Sequence, residues 1–345
     1  MDDPEMGPLK IAEILPEFHE GGAERHVLWL SNALAGIGHQ VTVITAGGKL
    51  EGKLDTEVEI WRLPVHRKNP VTGLYSALKI ACRAKRERWN ILHAHSRVPA
   101  WIAWWASSIA DVPWVFTAHA RYSLNKGLKP FPRANGAICI SRAVEKHLEQ
   151  YLPDRRTVIM NGLPPSELKW ENRGEQEKRF LFVGRLTRIK GLHFVIEALG
   201  GLKNLEWKLD VIGDGPQREE LEALSEYLGL SERVHFHGFR DDPQEWMARS
   251  DLLLFPSLDE GMGLVLMQAI QVGIPVLASD IEPVREVVGE NAPLITPGDV
   301  GKWRQRIEEI IKGEENPPPF DIAAVPSVQT MTASVLRFFH SVVEP

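Results

Sequence analysis

The sequence predicts two α/β domains, each built on a doubly wound parallel sheet, with a cleft between them. Three observations predict this fold class. Short apolar runs alternate with amphipathic helical stretches along the whole chain, which is the pattern of βαβ units. Glycine-rich loops follow several of the apolar runs and lead into helices. A length of 345 residues is ample for two such cores.

The first half begins with a strand over 10–15, after which Gly21 and Gly22 form a turn into a helix over 23–35. The other predicted elements of this half are strands over 41–45, 58–63, 91–95, 114–119, 136–140 and 157–160 and helices over 74–89 and 141–150. Trp101, Trp104 and Trp105 lie at helical spacing and indicate a further helix that packs on the sheet. Two of these strands end in histidine, at His95 and His119. A single histidine at a strand end is usually structural, but that interpretation is weaker for two histidines that strand ends bring into one cleft.

A polar, proline-containing segment over 164–178 predicts a hinge between the halves. The alternation then restarts, so we assign one domain to 1–163 and a second to 164–326. The elements predicted after the hinge are strands over 179–183, 207–212, 233–237, 252–255 and 293–295, a short strand after Pro275, and helices ending at Val272 and over 192–199, 284–288, 300–312 and 327–342.

Two loops of the second half carry charge at strand ends. One contains Glu260, Gly261 and Gly263 and lies at a helix amino terminus, where free N–H groups favour an anion. The other contains Arg185 and Lys190. Each loop has a plainer interpretation, as an ordinary tight turn and as a solvated basic loop, and the residue types alone do not decide between them.

Composition narrows the function classes. The chain has a formal net charge of −6, and its two cysteines, Cys82 and Cys139, are too far apart to suggest a disulfide framework or a zinc site. Residues 1–163 hold 21 Lys and Arg against 16 Asp and Glu, so of the totals of 40 and 46 the remainder holds 19 and 30. This basic first half, with a basic helix over 79–88, suggests an anionic membrane surface as a partner, or else a merely solvated helix face. The sequence predicts no nucleic-acid partner and a cytoplasmic location, peripheral on the inner face of the membrane if it binds there.

The motif Pro256-Ser-x-x-Glu260-Gly-x-Gly263-Leu resembles the signature of the family-4 glycosyltransferases. The turn Gly21-Gly-x-Glu24 and the run from Gly184-Arg-Leu to Lys190-Gly resemble two further motifs of that family. The resemblance covers nearly the whole chain and is strongest over 180–290. It implies the GT-B fold, in which the last helix packs back on the first domain, and a retaining reaction with a nucleotide-sugar donor.

The resemblance also implies roles for individual residues. His119 and Glu260 would act on the donor sugar, and Arg185 and Lys190 would bind the diphosphate in place of a metal, since the chain contains no Asp-x-Asp motif. The remaining donor-binding residues would be Gly22, His237, Gly238, Gly261, Met262, Gly263, Leu264 and Gln268, and the acceptor side would be formed by Gly21, His95 and His119. No metal and no cofactor beyond the nucleotide-sugar substrate is expected.

The predicted function is therefore transfer of a hexose from a UDP- or GDP-sugar to a cell-envelope glycan or lipid-linked acceptor. The family usually has a second glutamate where this chain has Gln268, which puts the ribose contact in doubt. That departure leaves open a partner subunit that binds nucleotide sugars with weakened turnover. A GT-B epimerase is a further alternative, whereas a phosphorylase would need a pyridoxal lysine. A dehydrogenase or kinase is disfavoured. Gly213-Asp-Gly215 lacks the third glycine of a dinucleotide-binding motif, and the loop from Gly184 to Gly191 lacks the spacing of a Walker A motif.

Overall fold

The computed structural model describes residues 7–172, 174, 177–315, 317 and 320–344. The chain divides into two compact units. Unit 1 contains the described residues up to Pro164 together with those from Pro326 onward, and unit 2 is Pro165–Val325. The segment predicted as a hinge lies partly outside the described residues, at positions 173, 175 and 176.

Regular structure alternates strand and helix in both units. The described strands are β1 (Lys10–Ile14), β2 (Gln40–Thr45), β3 (Glu59–Arg62), β4 (Ile91–His95), β5 (Trp114–Ala118), β6 (Gly136–Cys139), β7 (Arg156–Val158), β8 (Lys178–Val183), β9 (Trp207–Ile212), β10 (Val234–Gly238), β11 (Leu252–Phe255) and β12 (Val276–Ala278). The described α-helices are α1 (Gly22–Gly36), α2 (Pro70–Glu87), α3 (Arg97–Ala110), α4 (Arg142–Leu148), α5 (Leu192–Gly200), α6 (Arg218–Tyr227), α7 (Pro243–Arg249), α8 (Leu264–Val272), α9 (Glu282–Val288), α10 (Val300–Ile311) and α11 (Val328–Val343).

Each unit contains one parallel sheet whose strand order reverses in the middle. The sheet of unit 1 has seven strands in the order β3-β2-β1-β4-β5-β6-β7, and the sheet of unit 2 has five in the order β10-β9-β8-β11-β12. The order reverses between β1 and β4 in unit 1 and between β8 and β11 in unit 2. In such sheets the crevice beyond the carboxyl ends of these central strands is the usual place for a ligand. The predicted α/β, GT-B fold class is confirmed.

Helices α1 and α11 cover one face of the unit 1 sheet. Val27 and Leu30 of α1 and Val335 and Phe339 of α11 are fully buried in one apolar cluster with the strands. The side chain of Ser327 caps α11 by accepting a hydrogen bond from Thr330 N at 3.1 Å. The last helix of the chain is therefore an integral part of the core of unit 1.

Two local predictions miss. Helix α7 was not foreseen, because seven residues are too few to show a helical period. The strand predicted over 293–295 is wrong: in its place Ser279 and Ile295 form an isolated bridge. Pro293 has no N–H to donate, so a ladder cannot extend through it.

Candidate functional site

Two loops of unit 2 are held together at the carboxyl edge of its sheet. The loop after β8 ends at Gly191, which has φ = 69°, and a Cβ there would lie 2.1 Å from the carbonyl oxygen of Pro256 in the loop after β11. Leu258 N donates to Ile189 O at 2.7 Å. Only glycine permits both this backbone conformation and this approach. The contact brings the two charged loops predicted from the sequence side by side.

Lys190 and Glu260 form an ion pair at this junction. Lys190 Nζ lies 2.5 Å from Glu260 Oε1, and Ser257 Oγ donates to the same oxygen at 2.8 Å. The lysine side chain is 26% exposed and the glutamate 9% exposed, so solvent screens the pair only partly. Sequence reasoning placed the two charges at one edge; the structure adds that they contact each other directly, with Ser257 orienting the carboxylate.

Further groups near this pair are suited to an anion. Arg185, on the loop that carries Lys190, is exposed and forms no ion pair with another described residue. Helix α8 begins directly after the motif loop, and its amino-terminal residue Gly263 provides no side-chain cap. The first N–H groups of α8, from Leu264 onward, are therefore free of side-chain partners at the positive end of the helix dipole.

The remaining predicted donor contacts lie on β10 and α8. His237 Nε2 is 2.6 Å from Asp210 Oδ1, and its ring packs on Trp246 with the centroids 4.5 Å apart. Gly238 accepts a hydrogen bond from Gly213 N at 2.8 Å, so its carbonyl is already engaged. Gln268 lies on α8, where only 7% of the residue is exposed, and its side chain makes no hydrogen bond to another described residue. The sequence did not reveal the support that Asp210 and Trp246 give to His237.

The glycine turn of unit 1 is the amino terminus of α1. Gly21 is the N-cap residue and Gly22 the first helical residue, and no side chain caps this end. The carboxylate of Glu24 folds back beneath the turn, so that a Cβ on Gly21 would lie 2.2 Å from it. Burial raises the pKa of Glu24 above its usual value. The Glu24 carboxylate, which bonds its own backbone N–H, therefore lies against this turn.

Next to this turn lies a histidine cluster, formed by Glu13, His26, His93, His95 and His119. Glu13 Oε2 lies 2.5 Å from His95 Nε2 and 2.8 Å from His93 Nδ1. His95 Nδ1 in turn lies 2.9 Å from His119 Nε2. The cluster follows from topology, because Glu13 of β1 pairs with His93 of β4, and His119 follows β5 in the next position of the sheet. The structure therefore brings the predicted pair His95 and His119 together.

Helix α1 and two uncharged side chains complete the surroundings of the cluster. His26 Nδ1 is 2.8 Å from Asn161 Oδ1, and the His26 ring meets the His119 ring edge-on at a centroid distance of 4.9 Å. His93 Nε2 is 2.7 Å from Thr117 Oγ1. Glu13, His26, His93 and His95 are each at most 1% exposed.

The protonation states follow from burial and mutual contact. Burial opposes the charge on Glu13, but His93 and His95 outweigh it and hold the pKa of its carboxyl well below the usual range. Burial lowers the pKa of His26 to about 3 and that of His95 to about 4, and it lowers the pKa of His119 well below its usual value. At neutral pH the cluster thus combines one carboxylate with neutral imidazoles at His26, His95 and His119.

Glu13 and His26 were missed at the sequence level, as was the contact of His93. A signal was available for Glu13, since it is an ionisable residue within a strand predicted to be buried. Such a residue must be paired. His26 carried no such signal, because a histidine on an amphipathic helix is compatible with either face.

Helix α2 exposes an apolar and basic surface. Val71, Leu74, Tyr75 and Leu78, spaced along one face, are 76%, 48%, 50% and 46% exposed, and we call them the α2 apolar face. Exposed Lys79, Lys85 and Arg86 follow it on the last turns.

Not every residue of the predicted basic helix contributes to this surface. Arg83 pairs with Glu59 and Glu87 and packs over Trp61 and Trp89. No helix in the described part of the chain combines the length and the apolar character that crossing a membrane requires.

Comparison with known proteins identifies the family. Residues 20–167 match the model "Glycosyltransferase Family 4" and residues 166–324 match "Glycosyl transferases group 1". The lipopolysaccharide core biosynthesis glycosyltransferase LpsE of Rhizobium meliloti is 26% identical over 301 residues, covering 85% of this chain and 86% of LpsE.

Solved structures agree on the fold. A glycosyltransferase of Rickettsia africae superposes with a TM-score of 0.85 at 22% identity, over 98% of this chain and all of that one. HepE of Anabaena, solved with UDP and glucose, superposes with a TM-score of 0.82 at 21% identity, over 96% of this chain and all of HepE. Since the two family models together match residues 20–324, the chain belongs to the family-4 glycosyltransferases and is a glycosyltransferase of the GT-B fold.

Proposed function

We propose that this glycosyltransferase moves a hexose, with retention of configuration, from a UDP- or GDP-sugar to a cell-envelope glycan or lipid-linked acceptor. The observation that carries the proposal is the Lys190–Glu260 pair at the carboxyl edge of the unit 2 sheet. In a sugar diphosphate the phosphates are negatively charged and suit a cation, and the sugar hydroxyls can donate hydrogen bonds to a carboxylate. The domain assignment follows, with unit 2 binding the donor and unit 1 the acceptor.

Lys190 and Arg185 neutralise the diphosphate as it departs. Two negative phosphates leave in the transition state, and preorganised cations there lower the barrier. The uncapped N–H groups of α8, at Gly263 and Leu264, add a dipole of the same sign. Because these groups come from the protein, the diphosphate needs no metal ion, and nucleotide binding is independent of magnesium.

Glu260 orients the sugar of the nucleotide-sugar donor, because its carboxylate oxygens accept hydrogen bonds from the sugar hydroxyls. His119 stabilises the reacting ring. The bond between the anomeric carbon and the phosphate oxygen breaks, the acceptor oxygen bonds to that carbon on the same face, and the departing phosphate oxygen takes the acceptor's proton. His237 and Gly238 hold the nucleobase, and Gln268 contacts the ribose.

The acceptor is proposed from the chemistry of relatives. LpsE is a glycosyltransferase of lipopolysaccharide core biosynthesis. The α2 apolar face and the basic residues that follow it suit an interfacial position on an anionic membrane, where such an acceptor would be found. Gly21 and His95 are assigned to the acceptor side of unit 1, with His119, and Gly22 is assigned to the donor.

A second candidate is a nucleotide-sugar-binding partner subunit with weakened turnover. The observation that favours it is Gln268, an uncharged side chain where a charged ribose contact is expected. A nucleotide-sugar epimerase is the third.

Thermal unfolding with UDP, GDP, UDP-hexoses and GDP-hexoses tests donor binding. A ligand present at about a hundred times its dissociation constant adds about 2.7 kcal/mol of stability. Incubation of the stabilising nucleotide sugar with and without a membrane-lipid extract, followed by NMR of the sugar, then separates the candidates. Release of nucleotide with an α-linked product supports the transferase. Conversion of the donor sugar to its epimer without acceptor overturns it in favour of the epimerase, and binding without any turnover favours the partner subunit.

A further inference from the structure

Arg97 carries a half-buried guanidinium that has no anionic partner among the described residues. It is the first residue of α3 and follows β4 at the carboxyl edge of the unit 1 sheet. Its guanidinium carbon lies over the ring of Tyr122, 5.5 Å from the ring centroid. The side chain makes no ion pair and no hydrogen bond with another described residue. A guanidinium has five N–H donors, so the aromatic ring holds Arg97 in place while these donors remain available to a ligand.

A turn that carries Lys126 packs against Arg97. Asn125 caps this 3₁₀ turn over 126–128, since its Oδ1 accepts a hydrogen bond from Gly127 N at 2.8 Å. Trp101 Nε1 donates to Gly127 O at 3.1 Å, and a Cβ on Gly127 would lie 3.8 Å from Arg97 Cδ. Lys126 is exposed and precedes this contact directly in the chain. The turn therefore brings a second cation next to Arg97.

The surrounding sequence supplies little negative charge to these two cations. Residues 88–144 contain seven Lys and Arg but a single acidic residue, Asp111. Asp111 follows the last residue of α3, and 14 helical residues at about 1.5 Å each place it about 20 Å from Arg97. Glu24 of α1 interacts with Tyr122 but forms no ion pair with Arg97. Arg97 and Lys126 thus form a positive site to which the described part of the chain adds no paired carboxylate.

This site is in contact with the segment that carries His119. His119 N donates to Tyr122 Oη at 3.4 Å, and the ring of Tyr122 lies against Arg97. Arg97 and His119 follow the neighbouring strands β4 and β5 at the same edge of the sheet. A molecule that places a hydroxyl near His119 can therefore present another of its groups to Arg97.

We propose that Arg97 and Lys126 bind a phosphate group of the acceptor substrate. The inference rests on the proposed function, which assigns the acceptor to this edge of unit 1. A phosphate monoester carries about −1.5 to −2 charges at neutral pH, which two cations balance, whereas a carboxylate would balance only one. The planar guanidinium binds two phosphate oxygens at once, and the lysine ammonium adds a point charge. This phosphate chemistry is shared by a phosphorylated glycan and by a lipid headgroup.

Calorimetry on the full chain, with saturating UDP throughout, tests the site with glycerol 3-phosphate as the probe. Glycerol, the neutral match, should not bind, and glycerate, the carboxylate match, should bind at least about tenfold more weakly than the phosphate. Arg97→Gln should weaken binding of glycerol 3-phosphate at least about tenfold, and Lys126→Gln about threefold to tenfold. Arg97→Lys should fall between Arg97→Gln and the wild type, because it keeps the charge but loses the paired donors.

A soluble lipid probe distinguishes the two sources of the phosphate. Dihexanoyl phosphatidic acid presents the same phosphate as glycerol 3-phosphate together with two short acyl chains. Tighter binding of this lipid supports a lipid headgroup as the source, and equal binding supports a phosphorylated glycan. In either case the affinity should fall in Arg97→Gln.

Arg88→Gln is the matched control. Arg88 is an exposed arginine that precedes β4, so the substitution removes the same charge at the opposite end of the same strand. It should bind glycerol 3-phosphate as the wild type does. The proposal is overturned if the wild type does not bind this probe, or if folded Arg97→Gln, judged by circular dichroism, binds it as tightly. Binding that is lost in Arg185→Ala and retained in Arg97→Gln would place the phosphate in unit 2 and overturn it as well.

The outcome is separable from that of the proposed function. Probe binding is measured without turnover, so an Arg97-dependent phosphate site would stand even in a chain that transfers no sugar. In an active transferase, Arg97→Gln should raise the KM for the acceptor at least about tenfold and leave the KM for the nucleotide sugar unchanged. Transfer with an unchanged acceptor KM in Arg97→Gln would overturn the phosphate site and leave the transferase in place.

Discussion

The Lys190–Glu260 pair of unit 2 and the histidine cluster of unit 1 differ in burial and in the elements that contribute their residues. The Lys190–Glu260 pair of unit 2 comes from two loops and keeps the lysine 26% exposed. The histidine cluster of unit 1 comes from one helix, two strands and the residue that follows β5, and Glu13 at its base is fully buried. A partly exposed charge can exchange its partner for a ligand at modest cost. A buried charge must be satisfied by fixed neighbours, since an unpaired one is costly.

This difference assigns the two groups different work. The unit 2 pair is suited to reversible binding, because solvent and an incoming anion compete for both charges. The unit 1 cluster is suited to holding side chains in fixed orientations. Substitutions in unit 2 should therefore act on nucleotide affinity, whereas substitutions in the cluster should leave that affinity unchanged.

The largest expected effect is on the diphosphate contact. Lys190→Ala and Arg185→Ala should each lower kcat/KM by about a hundredfold or more, because each removes a cation from the departing phosphates. Lys190→Ala also leaves Glu260 without its cation, so Lys190→Ala combined with Glu260→Gln should recover part of the UDP affinity. Steady-state kinetics and calorimetry with UDP measure both effects.

His119→Ala provides the contrast in unit 1. It should reduce transfer while leaving UDP affinity within about twofold of the wild type, since the diphosphate contacts are untouched. If Lys190→Ala and His119→Ala weaken UDP binding equally, the division between a binding unit and an orienting unit is wrong. UDP affinity that rises strongly with added magnesium would count against metal-independent binding.

The next effect concerns the contact between the two unit 2 loops. Gly191→Ala should destabilise the protein by about 2 kcal/mol or more, because alanine is strained at φ = 69° and its Cβ would lie 2.1 Å from Pro256 O. Gly273→Ala is the matched control: glycine there has φ = 89°, but nothing lies within 4 Å of the added Cβ. It should cost about 1 kcal/mol, from backbone strain alone.

Urea denaturation measures both variants. Gly191→Ala should also weaken UDP binding, since it displaces Lys190 from Glu260, whereas Gly273→Ala should not. Equal stability losses in the two variants would show that backbone strain, and not the contact with Pro256, accounts for the destabilisation by Gly191→Ala.

The two units also differ in how much of each site could be predicted from the sequence. The alternation of strand and helix predicted both sheets, and β4, β9 and β11 were located to the residue. The charged loops of unit 2 were predictable because glycine, charge and a strand end coincide within a few adjacent positions. Topology then brings those loops to one edge with no further information.

The histidine cluster was only half predictable. His95 and His119 end predicted strands, so their meeting followed from parallel pairing. The contribution of Glu13 and His26 depends on strand order and on which face of α1 is buried, and periodicity does not specify either. The sequence could not show which basic residues of α2 are solvated. Arg83 is not, because it contacts Glu59 on β3 and Trp89 beyond the end of the helix.

A smaller effect is expected at the ribose. Gln268 is as long as the glutamate usual in the family and retains one acceptor oxygen, but it loses a charge-assisted hydrogen bond. That difference is worth about 1–2 kcal/mol, or about tenfold in affinity. Gln268→Glu should bind UDP or GDP as well as the wild type or up to about tenfold better, and Gln268→Ala should bind worse.

Calorimetry with both nucleotides gives the answer. A wild type that binds neither nucleotide, with binding and transfer gained in Gln268→Glu, would identify the chain as a partner subunit and overturn the proposed transferase. Gln268→Met controls for packing, because it fills the same buried space without an acceptor.

The smallest effect is expected at the membrane and tests whether the contrast between the units extends to their surfaces. Each lysine near an anionic bilayer contributes about 1 kcal/mol, so Lys79→Gln and Lys85→Gln should each lower affinity for phosphatidylserine-containing vesicles about fivefold. Lys203→Gln, which replaces an exposed lysine of unit 2, should leave vesicle binding unchanged.

Leu78→Ser should weaken binding by removing apolar area, and this loss should persist at high salt. Screening should abolish the lysine effects, because the Debye length falls to about 3 Å at 1 M salt. Vesicle co-sedimentation measures all four variants. If Lys203→Gln weakens binding as much as Lys79→Gln, binding follows overall charge and α2 has no special part in it. If neutral vesicles bind as well as anionic ones, the basic residues of α2 are simply solvated.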